Sequence, residues 1–215
     1  MRCSRHAVSP LQTRDAPQME NSPSIPSGAN RILDLGCGAA LPTLDAKSAR
    51  FLCGLDKDLG SLRRAKVPAD TKLEFGRVQG RAEQLPFQEA SFDCAISRVA
   101  LPYMEIPRVL SELRRVLGPG GQLRISLHSF RYFRGEYLGH VRALSWKSLI
   151  YKIYVFVNGI FFHLTGKVFR FPLKRSRIES FQTRRGMSLA LARTGFVDVK
   201  MSQEGKYFFL TARKG

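Results

Sequence analysis

The chain has 215 residues, enough for one domain with a sizeable core plus insertions. At 44% hydrophobic and 24% charged residues its composition is that of a globular protein and excludes one disordered throughout. Net charge is +18 and uneven: residues 1–121 hold 17 Lys and Arg against 13 Asp and Glu, while residues 122–215 hold 18 against 4. Such a balance fits either a solvated basic face or an acidic partner: a phosphate-bearing substrate, anionic lipid or nucleic acid.

Residues 1–29 are rich in Ser, Pro, Gln and Asn, lack the apolar core of a signal peptide and are expected to be disordered. Arg31-Ile-Leu-Asp-Leu35 then reads as a buried parallel strand, and Gly36-Cys-Gly38 as a tight turn that lets a ligand lie against bare backbone. A dinucleotide-binding turn carries a third glycine three residues after the second. Here Leu41 stands in that place, and Asp34 brings a carboxylate that would repel phosphate. The turn therefore suits a positively charged ligand without phosphates, and a dehydrogenase is disfavoured.

Pro42 suits the opening of a helix to about Ala49, and Phe51–Leu55 reads as a second strand ended by Asp56. Asp58 caps a helix reaching Lys66; Leu73–Gln79 is a third strand; Gly80–Phe87 is a loop entering a short helical turn. Phe92–Ile96 is a fourth strand. Helical spacing of Ile106, Val109, Leu110, Leu113 and Val116 predicts a helix over Glu105–Leu117, stopped by Gly118-Pro-Gly-Gly121 before a fifth strand at Gln122–Leu127. This alternation implies a parallel sheet with right-handed crossovers. Ser180–Thr194 reads as a helix closed by Gly195, followed by a hairpin of Phe196–Met201 and Lys206–Ala212.

Between sheet and hairpin lies an insertion, residues 129–179. Its segment 129–171 holds 12 of the 22 aromatic residues, with Glu136 its one acid. Asn158-Gly159 is expected to break it into two short helices, and its apolar run Ile153–Phe162 is too short to span a membrane. Trp146, Tyr151, Tyr154, Phe156, Phe161 and Phe162 would supply apolar contact, and Lys147, Lys152, Lys167, Arg170, Lys174, Arg175 and Arg177 positive charge. That composition suits a cap over a lipophilic or aromatic acceptor with an anionic group, peripheral contact with an anionic membrane, a second small core or a dimer interface. Nucleic acid is a lesser partner on the same evidence. Cys3, Cys37, Cys53 and Cys94 lack metal-ligand spacing, as do the four histidines, and suit a reducing cytoplasm.

Four motifs in order give these residues a family resemblance: Leu33-Asp-Leu-Gly-Cys-Gly38; Gly54-Leu-Asp56; Ala82-Glu-Gln-Leu-Pro-Phe87 with Ser91-Phe-Asp93; and Arg115-Val-Leu-Gly-Pro-Gly-Gly121. Over Arg31–Leu127 the chain resembles the class I S-adenosylmethionine-dependent methyltransferases of the methyltransferase-11-like branch. The resemblance implies an α/β, doubly wound, Rossmann-like seven-stranded sheet with an antiparallel last strand. Residues 30–128 would be its cofactor-binding core, 129–179 a substrate cap and 180–215 the completing helix and hairpin. It also implies S-adenosyl-L-methionine as cofactor. Asp34 would organise the amino group, Gly36, Cys37 and Gly38 the methionine part, Asp56 the ribose hydroxyls, Lys57 and the Ala82 amide the adenine, and Ser97 the methionine end. The branch often has a small residue, commonly glycine, at Ala40. Arg81 stands where many members have an aspartate for the adenine amino group; arginine has no acceptor, so Glu83 or a backbone carbonyl would take that task. No catalytic residue is demanded; His128 and then Tyr103 are the candidates for a general base. The implied activity is methyl transfer to a small lipophilic or aromatic acceptor. A catalytically silent partner subunit and a nucleic-acid methyltransferase are the alternatives.

Overall fold

A computed structural model describes residues 25–26, 28–39, 49–65, 73–128, 130, 134–135, 146–174 and 177–215. Strands β1 (Arg31–Leu35), β2 (Phe51–Asp56), β3 (Glu74–Gln79), β4 (Phe92–Arg98), β5 (Leu117–His128), β6 (Phe196–Glu204) and β7 (Tyr207–Lys214) form one sheet. Its order is β3-β2-β1-β4-β5-β7-β6. The first five strands run parallel, and β7 inserts antiparallel between β5 and β6. Among the described residues, helices α1 (Leu59–Arg64), α2 (Ile106–Val116), α3 (Trp146–Thr165) and α4 (Arg184–Arg193) accompany the sheet, with a 3-10 turn at Leu101–Tyr103.

The central strands are apolar on both faces because both are covered. On β1, Leu33 and Leu35 join the main core with Leu110, Leu113 and Ile125. Ile32 joins a second cluster with Leu52, Cys94 and Ile96. All five apolar positions expected on α2 are fully buried, and Asp58 caps α1 through the Gly60 and Ser61 amides.

Several expectations are corrected. The strand β5 begins at Leu117 and runs through Gly118–Gly121, absorbing them where its register with β4 shifts between Phe92 and Cys94. Helix α4 begins at Arg184 rather than Ser180, because the Thr183 hydroxyl accepts from the Gly186 amide and the Ser180 amide donates to Pro102 O. Asn158-Gly159 does not break α3, which is one helix of 20 residues. Nor is it too short for a membrane: by length and composition alone, α3 is long and apolar enough to cross one. The helix expected from Pro42 lies, up to residue 48, outside the described residues.

Asn158 and Gly159 instead fasten α3 to the domain. The Asn158 amide donates to Phe169 O at 3.1 Å and Glu179 O at 2.9 Å, and its Oδ1 accepts from the Phe169 amide at 2.9 Å. A Cβ on Gly159 would lie 2.2 Å from the Phe181 ring, and one on Gly186 of α4 would lie 2.6 Å from the ring of Phe162. The two glycines thus let aromatic rings lie flush against helix backbone.

Candidate functional site

The carboxyl ends of β1, β2 and β4 meet at one edge of the sheet, where open α/β sheets receive ligands. After β1 the chain turns at Gly36 and Gly38, both left-handed at φ +68° and +59°. The Gly36 and Cys37 amides donate to Leu55 O at 2.7 and 3.2 Å, tying the turn to β2. A Cβ at Gly36 would meet the Ala100 Cβ at 2.5 Å, so only glycine fits. Ala100 is held there by Val99, a β-branched residue in the left-handed region (φ +51°) whose amide donates to Ser126 O. Such strain needs surrounding structure to enforce it and tends to gather at functional sites.

Asp56 ends β2. Its Oδ2 accepts from the Gly38 amide and its Oδ1 from the Asp58 amide, both at 2.9 Å. An ionised carboxylate offers about four lone-pair positions, so two remain after these bonds. Beside it opens a cavity of about 580 Å³ lined by Gly36, Leu55, Asp56, Lys57, Gly80, Arg81, Ala82, Glu83, Ala100, Tyr103 and Met104, with Arg170, Lys174, Arg177 and Ile178 from the insertion. That volume suits a cofactor-sized ligand.

The cavity therefore gathers Gly36, Asp56, Lys57, Ala82 and Glu83 of the residues expected from the sequence. Asp34, Cys37, Gly38 and Ser97 are not among its lining. Ser97 is buried and donates to Leu35 O at 3.1 Å. Cys37 packs beneath the turn, and burial pushes its thiol up to about 12, which leaves it a filler rather than a nucleophile. Of the two candidate bases, Tyr103 lines the cavity, whereas His128 stacks on Tyr207 at 5.4 Å and does not. Glu83 faces Arg81 at 3.5 Å, so the arginine brings its own counter-charge. None of the insertion's named aromatics lines the cavity; three of its seven named cations, Arg170, Lys174 and Arg177, do. Arg175 lies outside the described residues. Among the described residues no cluster of His, Cys, Asp and Glu could hold a metal.

Sequence reasoning missed Arg98. Asp34 and Ile96 are in register, and Arg98 follows two residues later on the same strand face, so its guanidinium reaches back to the Asp34 carboxylate at 3.0 Å. Asp34 is fully buried, and its Oδ1 has no hydrogen-bond partner among the described residues. Burial raises the Asp34 carboxyl to about 6, with Arg98 opposing it. The folded protein therefore holds this proton between about pH 4 and 6, where the unfolded chain has released it, and stability supplied by Asp34 falls as pH rises through that window. Denaturant titrations at pH 4 and pH 7 should show wild-type protein losing stability relative to Asp34→Asn on going to the higher pH. A difference independent of pH would show that the carboxyl is ordinary.

Residues 33–125 match the family described as methyltransferase domain. An uncharacterized methyltransferase of Synechocystis is 41% identical over 99 residues, covering 44% of this chain and 45% of that protein. A malonyl-[acyl-carrier protein] O-methyltransferase of Methylococcus capsulatus is 29% identical over 181 residues, 80% of this chain and 53% of that protein. The chain thus spans about half the length of these curated relatives. In structure it is similar to an S-adenosylmethionine-dependent methyltransferase of Mesorhizobium loti, with TM-score 0.57 and 21% identity over 88% of this chain and 93% of that one.

Proposed function

We propose that the protein, whose residues 33–125 match a methyltransferase domain, is an S-adenosylmethionine-dependent methyltransferase acting on a small lipophilic or aromatic acceptor bearing an anionic group. The observation that carries this reading is the shared cavity: Asp56, Lys57, Ala82 and Glu83 line it together with three cations of the insertion, Arg170, Lys174 and Arg177.

The residues present fit the cofactor. Asp56 keeps two lone pairs in a fork matching a vicinal diol. Asp34 Oδ1, buried and without a partner among the described residues, is suited to a cation at the turn, and the bare backbone of Gly36 and Gly38 permits close approach. When bound, S-adenosylmethionine supplies a methyl group already activated on a sulfonium, with a neutral leaving group. What remains for the protein is alignment and exclusion of water. Leu55, Ala100 and Met104 provide apolar wall, and the Tyr103 hydroxyl is the one we assign to take or orient an acceptor proton. Arg170 is held by Glu105 at 3.0 Å and Arg177 lies over the Tyr151 ring at 4.9 Å, so both are positioned before an acceptor arrives. That a relative is named for a carboxylate-bearing acceptor supports a role for these cations.

Calorimetry with S-adenosylmethionine tests the cofactor half; micromolar affinity is expected, and no heat would favour a silent partner subunit. Lys174→Glu tests the acceptor half. We expect KM for an anionic acceptor to rise about tenfold, the scale of one charge reversal beside a bound anion, while cofactor affinity stays put. Equal effects on an anionic acceptor and its neutral analogue would remove the charge-recognition part.

A further inference from the structure

The face of α3 turned away from the domain is apolar from end to end. The buried side consists of Tyr154, Val155, Asn158, Gly159 and Phe162. On the opposite side Trp146, Leu149, Ile153, Val157, Ile160 and Leu164 recur at helical spacing, with exposures of 66% at Trp146, 55% at Ile153 and 59% at Leu164. Soluble surfaces rarely leave a stripe of that length, roughly 30 Å for 20 residues, open to water. From Tyr137 to Ile178 the sequence holds eight Lys and Arg and no Asp or Glu. Beside the helix the turn at Phe171–Lys174 packs through Phe171 on Tyr151 and Tyr154 and presents Leu173, 74% exposed, next to Lys174.

We infer that the outer face of α3, with Leu173, is a docking surface for an anionic lipid bilayer, on which the helix lies in the plane of the interface. Charge complementarity selects this occupant: Lys147 lies over the Trp146 ring at 5.6 Å, and an apolar stripe carried by a segment with eight cations and no acid in its sequence matches acyl chains beneath negatively charged headgroups. Spanning the bilayer is disfavoured by the inner face, where Asn158 holds the Phe169 and Glu179 backbone and would have to be torn from those partners. In-plane docking leaves them intact. It also sets the turn that supplies Lys174 and Arg177 to the cavity at the membrane surface, a direct route for a lipophilic acceptor. The inference does not depend on methyl transfer, and its test uses no cofactor.

Trp146 is the sole tryptophan of the chain and begins the helix, so intrinsic fluorescence of the 215-residue chain reports contact directly. With phosphatidylcholine vesicles containing phosphatidylglycerol we expect a blue shift, quenching by brominated acyl chains and co-sedimentation. Pure phosphatidylcholine should bind more weakly. Ile153→Asp with Ile160→Asp, both at exposed positions, should weaken vesicle binding by about tenfold or more through lost apolar insertion, with the far-ultraviolet spectrum unchanged. Four outcomes would each overturn the inference. These are no binding to anionic vesicles at low salt, no quenching by brominated chains, full binding by the double variant, or a lipid-free dimer that already buries Trp146.

Discussion

Asp56→Ala is expected to weaken S-adenosylmethionine binding by about a hundredfold or more in titration calorimetry. Hydrogen bonds to a charged acceptor contribute about 1.5–3 kcal/mol each, and two ribose hydroxyls would lose their common acceptor. The carboxylate is also organised in advance: the Gly38 and Asp58 amides occupy one position on each oxygen and fix the direction of those that remain. Removing it also frees the Gly38 amide, so the variant disturbs the turn as well as the ribose contact. A 2′,3′-dideoxy analogue of S-adenosylhomocysteine separates the two. If the ribose contact dominates, wild-type protein and the variant bind the analogue with similar affinity, and the hundredfold gap appears only with the natural ligand. Asp58→Ala, which removes the cap of α1, serves as a neighbouring control and should leave cofactor affinity unchanged. Binding by Asp56→Ala within threefold of wild type would sink the ribose assignment.

How far such a site is legible in the sequence depends on how local its signals are. The strands and α2 were legible because burial on two faces, or on one helical stripe, writes a short-range apolar pattern: every predicted position from Ile106 to Val116 is buried. That Gly36, Asp56 and Ala82 line one cavity was legible for a similar reason, since each lies at or just past the end of a strand that the pattern locates. Arg98 was not, because its meaning comes from strand register; nothing within a few residues of it signals a buried partner 64 positions earlier. The insertion divides among the readings its composition left open: Tyr154 packs with Val155 and Phe171 in a second small core, Phe162 joins the main core, and Trp146 lies on the surface. Asn158-Gly159 was read by helix propensity, in which glycine costs up to about 1 kcal/mol against alanine. Tertiary contacts outweigh that figure here.

Asn158→Leu shows how much they outweigh it. The substitution keeps the number and branching of side-chain heavy atoms and improves helix propensity, so local reasoning predicts a gain. The structure predicts a loss of about 2 kcal/mol or more in denaturant titrations, because the Phe169 amide and Glu179 O lose their buried partner while Phe169 O keeps the Tyr154 hydroxyl, and a buried polar group left unsatisfied costs about 1–3 kcal/mol. The damage should be regional. Phe169 and Glu179 bracket the turn that carries Arg170, Lys174 and Arg177 into the cavity, whereas Asp56 and Gly36 rest on β1 and β2. In the folded fraction, therefore, KM for an anionic acceptor should rise while cofactor affinity stays within about twofold, a pattern that general destabilisation alone would not give. Asn158→Asp keeps the acceptor for the Phe169 amide but exchanges the amide donor for charge, so it should be no better at neutral pH and partly recover at acidic pH as the carboxyl regains a proton to donate. If Asn158→Leu is as stable as wild type, the insertion is not held to the domain by this side chain, and the positioning of its cations must come from elsewhere.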